Sequence, residues 1–149
     1  MASILIVAHA PLASSLLAVA QHVYPDCSRT LASVDVEAAA GLEAAEAQVR
    51  GAMAALGAAD VLILADVFGA TPCNAALAAA DGLHSRVVAG VNVPMLWRTL
   101  CYAEGTLEDL VSRAVAGATQ GVMQVSVPRR QNQPNSSVGH DPVTHSHQQ

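Results

Sequence analysis

Two short runs of this chain are apolar at every position, and they restrict the fold more than any other feature. Residues 4–8 read ILIVA and residues 61–65 read VLILA. A strand with one face in water alternates apolar and polar residues, so a run without alternation indicates a strand covered on both faces. Such strands are typical of parallel sheets that carry helices on each side. The two runs therefore predict an α/β protein with a parallel central sheet.

The rest of the chain alternates between helical and strand-like patterns. Helices are predicted at residues 12–23, 42–56, 72–80, 96–103 and 107–118, and further strands at 30–36, 86–91 and 122–127. Gly57 is expected to end the second helix, and Thr106 to begin the last one. This order predicts a three-layer α/β/α fold with a mainly parallel, doubly wound sheet. We expect one folded domain at residues 1–127 and a disordered polar tail at 128–149.

Charge and hydropathy narrow the class of protein. The chain has 149 residues, a formal net charge of −5 and no lysine, which argues against nucleic-acid binding. No apolar run approaches the roughly 20 residues of a transmembrane helix. The first residues do not resemble a signal peptide, so we expect a cytoplasmic protein. The cysteines, at positions 27, 73 and 101, are odd in number and widely spaced, which predicts reduced thiols.

Residues 66–74, DVFGATPCN, join the second apolar strand to a helix. Thr71 is expected to be the helix N-cap and Pro72 the first helical residue. Such a junction directs unpaired backbone N–H groups at one spot, where the helix dipole favours an anion. The carboxylate of Asp66 repels phosphate, so its place here suggests that it orients another group.

His9 is the candidate partner, because it ends the other apolar strand. If the first and third strands are neighbours, as in a flavodoxin-like order, His9 and Asp66 face each other where ligands collect. An aspartate that accepts from one imidazole nitrogen leaves the other nitrogen nucleophilic. A phosphoryl group there would be held by the amides of residues 69–71 and the Thr71 hydroxyl. Taken singly, each residue has a plainer explanation, as a satisfied polar side chain or a helix cap.

The chain resembles a known family in three places: the His9 loop, residues 66–74, and GVNVPM at 90–95. Together they resemble the IIA component of the mannose/fructose/sorbose-type phosphoenolpyruvate-dependent sugar phosphotransferase system (PTS), over about residues 3–127. The resemblance implies that His9 is phosphorylated and that Asp66 orients it. The candidate phosphate-binding residues are Phe68, Gly69, Ala70, Thr71, Asn92 and Met95.

Two positions depart from the family pattern. Members commonly have Gly-Gly where this chain has Gly69-Ala70, and a glycine after the histidine where this chain has Ala10. If the second turn position required a positive φ, Ala70 would cost about 1 kcal/mol or more. Neither change removes a reacting group.

The resemblance also implies partners. HPr would donate the phosphoryl group and a IIB component would accept it for sugar uptake, with membrane contact only through IIC and IID components. The family forms homodimers that exchange the last strand, here residues 122–127. No metal or organic cofactor is expected, because the donor is already a reactive phosphoramidate.

Three other functions are compatible with the same residues to different degrees. One is a regulatory module of an incomplete PTS, in which the phosphorylation state of His9 controls a partner protein. Another is the phosphocarrier component of a dihydroxyacetone kinase, which uses a similar fold and a histidine at the same place. A flavodoxin-like nucleotide- or flavin-binding domain ranks lowest, since residues 8–12, AHAPL, do not form a long phosphate loop.

Overall fold

The computed structural model of the protein describes residues 1–102 and 104–130. The strands are β1 (Ser3–His9), β2 (Leu31–Val36), β3 (Val61–Ala65) and β4 (Ser85–Ala89). The helices are α1 (Leu12–Val23), α2 (Leu42–Leu56), α3 (Thr71–Ala79), α4 (Val93–Leu100) and α5 (Leu107–Gln120). A 3-10 turn, Cys27–Thr30, leads into β2. Strands and helices alternate along most of the chain, as the sequence pattern predicts.

The sheet is parallel throughout, with the strand order β2-β1-β3-β4. The chain therefore starts in the middle of the sheet, adds β2 on one side and then β3 and β4 on the other. The strand order reverses between β1 and β3, which are neighbours as expected. At such a switch point the loops that follow the two strands diverge and leave a crevice at the carboxyl edge of the sheet.

The core consists of two layers, one on each face of the sheet. Ile4, Ile6 and Leu64 pack against residues of α1, α4 and α5 on one face. Leu5 and Ile63 pack against residues of α2 and α3 on the other face. Because successive side chains of a strand point to opposite faces, a strand between two helical layers is apolar at every position. The three-layer α/β/α prediction is confirmed.

The predicted last strand does not form in the single chain. Residues 122–127 lack regular secondary structure, and the side chains of Val122, Met123, Val125 and Val127 are exposed. A strand needs a neighbour for its backbone N–H and C=O groups. No strand within the described residues pairs with this segment, so its alternating pattern alone does not make it a strand.

The prediction of reduced thiols is wrong for two of the three cysteines, whereas Cys73 is a free thiol as predicted. Cys27, in the 3-10 turn, and Cys101, just after α4, form a disulfide with a Cα–Cα distance of 5.4 Å. Their sequence separation of 74 residues gave no sign of this pairing. The packing of α1 and α4 on the same face of the sheet brings the two cysteines together.

Two further findings concern membrane-spanning helices and the C-terminal tail. None of the helices at residues 1–102 and 104–130 has the length and apolar character needed to cross a membrane. Most of the predicted disordered tail, residues 131–149, lies outside the described residues.

Candidate functional site

His9 and Asp66 meet at the carboxyl edge of the sheet. His9 is the last residue of β1 and Asp66 directly follows β3, and these two strands are paired neighbours. The distance from His9 Nδ1 to Asp66 Oδ2 is 2.6 Å. The same oxygen accepts the His9 backbone N–H at 3.0 Å, while Asp66 Oδ1 accepts the Val67 N–H at 2.8 Å. Both carboxylate oxygens are therefore held, and the predicted juxtaposition of the two residues is confirmed.

The protonation state of Asp66 decides which nitrogen of His9 carries the proton. Burial by itself raises the pKa of this carboxyl, but the hydrogen bonds from the His9 backbone, the His9 ring and the Val67 N–H outweigh it. The pKa of Asp66 therefore lies below its ordinary value, and the group is a carboxylate at neutral pH. Since a carboxylate only accepts hydrogen bonds, Nδ1 of His9 must be the donor.

The remaining nitrogen of His9, Nε2, therefore has a free lone pair in the neutral ring. The His9 side chain is 49% exposed, whereas that of Asp66 is 12% exposed. The ring of His9 is thus accessible from solution, and the carboxylate that it contacts is largely covered.

The turn between Asp66 and α3 differs from the sequence prediction by one residue. The N-cap of α3 is Ala70, so Thr71 is the first helical residue and Pro72 the second. No side chain caps this helix end. The expectation that Thr71 caps α3 is therefore wrong, because its backbone is already helical. Its hydroxyl is left for another role.

The backbone angles of the turn explain why only one glycine is needed. Gly69 has φ +90°, a conformation that strains any residue with a Cβ atom. Ala70 has φ −95° and ψ 167°, which is ordinary extended backbone. The strain that a positive φ would cause at Ala70 is therefore absent. The departure from Gly-Gly has no conformational cost here.

Cys73 lies behind this turn, in the first turn of α3. Its side chain is buried, and burial raises the pKa of the thiol. This effect of burial is larger than the opposing effect of a hydrogen bond from the Gly69 backbone. The nearby Asp66 carboxylate raises that pKa further. Because the thiolate is the reactive form, this environment favours an apolar packing role for Cys73.

Asn92 and Met95 belong to the loop after β4 and the start of α4. Asn92 Oδ1 accepts the Met95 backbone N–H at 2.9 Å and caps α4, while its Nδ2 donates to the carbonyl of Ala118 at 3.3 Å. The Met95 side chain is 1% exposed and lies in the core. Its N–H is already bonded and its side chain is covered, so the expectation that Met95 contacts phosphate is not supported. Asn92 has a structural role in shaping this loop.

Phe68 lies at the tip of the turn after Asp66. Its side chain is 78% exposed, and the neighbouring Val67 is also exposed. The site is thus bordered by apolar side chains that face solution.

Sequence analysis missed a carboxylate on β2, the strand next to β1. Asp35 is the second-to-last residue of β2 and lies opposite Ala8 of β1. Its Oδ1 accepts the backbone N–H of Ser14, in the first turn of α1, at 3.0 Å. The signal was a polar residue near the end of a predicted strand, the same signal that identified His9 and Asp66.

The comparisons with known proteins agree on one family. The model of the family described as "PTS system fructose IIA component" matches residues 3–115. The chain is 42% identical over 65 residues to the PTS system mannose-specific EIIAB component of Escherichia coli strain K12. That alignment covers 42% of this chain and 20% of the relative, so it spans about a fifth of the curated relatives' length.

Solved structures of the same class resemble the whole fold. The mannose/sorbose specific IIA subunit of Enterococcus faecalis has a TM-score of 0.78 at 26% identity, covering 86% of this chain and 97% of that one. Component EIIA of Streptococcus agalactiae has a TM-score of 0.73 at 19% identity, covering 83% and 97% respectively. The second likeness supports the fold alone.

Proposed function

The chain belongs to the PTS system fructose IIA component family, and we propose on that basis that it is a histidine phosphocarrier. His9 accepts a phosphoryl group from phospho-HPr and passes it to a IIB component for sugar uptake. The observation that carries this proposal is the 2.6 Å hydrogen bond between His9 Nδ1 and Asp66 Oδ2, next to a helix end that no side chain caps.

The transfer step follows from the tautomer of His9. The Nε2 lone pair attacks the phosphorus of the donor phosphohistidine, and the donor P–N bond breaks as its electron pair returns to the donor imidazole. The proton on Nδ1 stays in place, so the phosphorylated ring carries a positive charge. The Asp66 carboxylate stabilises that charge as it develops. The same steps in reverse deliver the phosphoryl group to the acceptor.

The negative phosphoryl oxygens need hydrogen-bond donors, and the start of α3 offers them. The backbone N–H groups of Ala70 and Thr71 and the Thr71 hydroxyl are the donors that we assign to this role. Gly69 supplies the positive φ of the turn, and its backbone N–H is directed at the sulfur of Cys73. Pro72 has no N–H, so the second helical position contributes none. Phe68, in the turn that leads into α3, is exposed, and we assign it to the solvent side of this anion site.

The exposure of the His9 side chain suits a residue that receives a phosphoryl group from one protein and transfers it to another. A histidine that serves a small enclosed substrate needs no contact with a macromolecule, whereas a phosphocarrier must present its nitrogen to two different proteins. The exposed Val67 and Phe68 provide apolar surface for such transient contacts. We assign residues 1–127 to this phosphocarrier domain. A homodimer in which residues 122–127 pair with a second subunit accounts for the exposed apolar side chains of that segment.

The test is phosphorylation with phosphoenolpyruvate, enzyme I and HPr. Wild type is expected to gain an acid-labile phosphate, and His9→Ala none. His84→Ala is the matched control, because His84 also contacts an aspartate, Asp60, at 3.0 Å but at the opposite edge of the sheet. It is expected to be phosphorylated like wild type. An acid-labile phosphate on His9→Ala would overturn the proposal.

A further inference from the structure

The connection between β1 and α1 is held from both neighbouring strands. On the side of β3, Asp66, which follows that strand, accepts the His9 N–H on its Oδ2 at 3.0 Å. From β2, the Val36 carbonyl accepts the Ala10 N–H at 2.9 Å, and Asp35 Oδ1 accepts the Ser14 N–H at 3.0 Å. The catalytic histidine of the proposed function therefore lies between two aspartates, of which Asp66 contacts its ring and Asp35 contacts the helix that follows it.

Asp35 supplies the side-chain cap that the start of α1 lacks. The N-cap of α1 is Pro11, which has no side-chain acceptor, and no side-chain cap is formed by it. An N-cap side chain normally accepts the N–H of the second or third helical residue. Ser14 is the third residue of α1, so the carboxylate of Asp35 takes the place of the missing cap from a different strand.

The short connection couples this bond to His9. Only Ala10 and Pro11 separate the end of β1 from the start of α1. A shift of the first turn of α1 therefore moves the backbone of His9 as well. The ring of His9 depends on a short hydrogen bond to Asp66, and such a bond weakens quickly when distance or angle changes.

We propose that Asp35 is a positioning residue for His9, acting through the hydrogen bond between its Oδ1 and the Ser14 N–H. The inference rests on the proposed function for its effect on phosphotransfer. Its effect on the tautomer of His9 is independent of that function. Asp35 is the register partner of Ala8 and not of His9, so its side chain points to the opposite face of the sheet from the His9 ring, and Asp66 is the aspartate that contacts the ring.

Two substitutions separate the hydrogen bond from the charge. Asp35→Ala removes the acceptor, whereas Asp35→Asn keeps an oxygen acceptor for the Ser14 N–H and removes only the charge. Glu37→Ala is the matched control, because it removes an exposed carboxylate one residue beyond the end of β2. The bond is at the surface, so all three variants are expected to fold.

The first measurement uses unphosphorylated protein labelled with ¹⁵N in its histidine rings. In wild type, Asp35→Asn and Glu37→Ala, NMR is expected to find the His9 ring with its proton on Nδ1. In Asp35→Ala, the two neutral tautomers are expected to be mixed. An Asp35→Ala spectrum identical to wild type at the His9 ring would overturn the inference.

The second measurement is the rate of phosphorylation by phospho-HPr. Asp35→Ala is expected to lower kcat about tenfold with KM for HPr within about twofold, because misplaced reacting groups slow the chemical step more than binding. Asp35→Asn is expected to restore a rate within about twofold of wild type. A loss of rate in Asp35→Asn equal to that in Asp35→Ala overturns the inference, since the hydrogen-bond acceptor for the Ser14 N–H would then not account for the effect.

The two measurements keep the two proposals apart. If wild type accepts no phosphate, the proposed function fails, while the His9 tautomer still decides the role of Asp35. If Asp35→Ala does not fold, Asp35→Asn tests the role of Asp35. A His9 ring with the wild-type tautomer then supports the inference, and a mixture of tautomers overturns it.

Discussion

Replacing Asp66 with asparagine tests how the site prepares His9. The carboxylate accepts three N–H groups, two from His9 and one from Val67. An amide has one acceptor oxygen, so Asp66→Asn cannot satisfy both sides. If its oxygen faces His9, its NH₂ group faces the Val67 N–H. If it is reversed, the NH₂ group faces the His9 backbone N–H and favours the wrong ring tautomer.

The size of the effect follows from the bond that is lost. A hydrogen bond to a charged group contributes about 1.5–3 kcal/mol, and every 1.36 kcal/mol in an activation barrier changes the rate about tenfold. Asp66 is only 12% exposed, so water replaces little of what the carboxylate provides. We therefore expect Asp66→Asn to slow phosphorylation of His9 roughly 10- to 100-fold, because the positive charge on the phosphorylated ring loses its counter-ion.

The assay is the initial rate of transfer from phospho-HPr, followed with radiolabelled phosphate and quenched at alkaline pH. Asp60→Asn is the matched control, because Asp60 contacts His84 at 3.0 Å in a second aspartate–histidine pair away from His9. Its transfer rate is expected to equal that of wild type. Circular dichroism and thermal unfolding check that both variants keep the fold.

A folded Asp66→Asn protein that is phosphorylated within about twofold of the wild-type rate would refute this reasoning. It would mean that the 2.6 Å contact neither selects the tautomer nor stabilises the charge of the transition state. Equal slowing in Asp60→Asn would also count against it, because the effect would then not be specific to His9.

Three other predictions concern stability, and each is measured by thermal unfolding. Hydrogen bonds from the Leu83 backbone and from Ser85 hold the pKa of Asp81 below its ordinary value. The stability that the Asp81 carboxylate gives the folded protein is therefore present above about pH 4 and is lost as pH falls through the lowered pKa. Asp81→Asn should therefore be less stable than wild type at pH 7, with the difference shrinking toward pH 3, and a constant difference would contradict this. Gly69→Ala should destabilise the protein by about 1–2 kcal/mol because of its positive φ, whereas Gly51→Ala, in an exposed helical position, should stabilise it slightly. Equal effects of these two substitutions would be inconsistent with the backbone argument. Reduction of the Cys27–Cys101 disulfide, which closes a loop with a sequence separation of 74, should lower Tm by roughly 10 °C. A Cys27→Ser protein should be insensitive to reductant, and wild type with an unchanged Tm after complete reduction would argue against the bond.

Local sequence patterns determined most of the elements. The bounds of α1 and α2 were predicted to the residue, and Gly57 ends α2 in the left-handed conformation expected of a C-cap glycine. Thr106 begins α5 by accepting the Asp109 N–H, again as predicted. These features depend on neighbours within a few residues, so the sequence pattern alone is sufficient to identify them. The proximity of His9 and Asp66 followed from one further rule, that parallel strands end at the same edge of a sheet.

Tertiary structure decided what depends on residues distant in sequence. Two examples are the disulfide between Cys27 and Cys101 and the hydrogen bond that the Ser14 N–H donates to Asp35, since each joins segments that no periodicity relates. The burial of the Met95 side chain is a third. The one-residue error in the start of α3 has a different cause, since neighbouring cap positions differ little in free energy and packing selects between them. The chain by itself therefore determined which elements form and which polar residues end the strands. Only the packed fold decided which donors and acceptors those residues reach, because a hydrogen bond depends on tenths of an ångström and the sequence pattern specifies only a face.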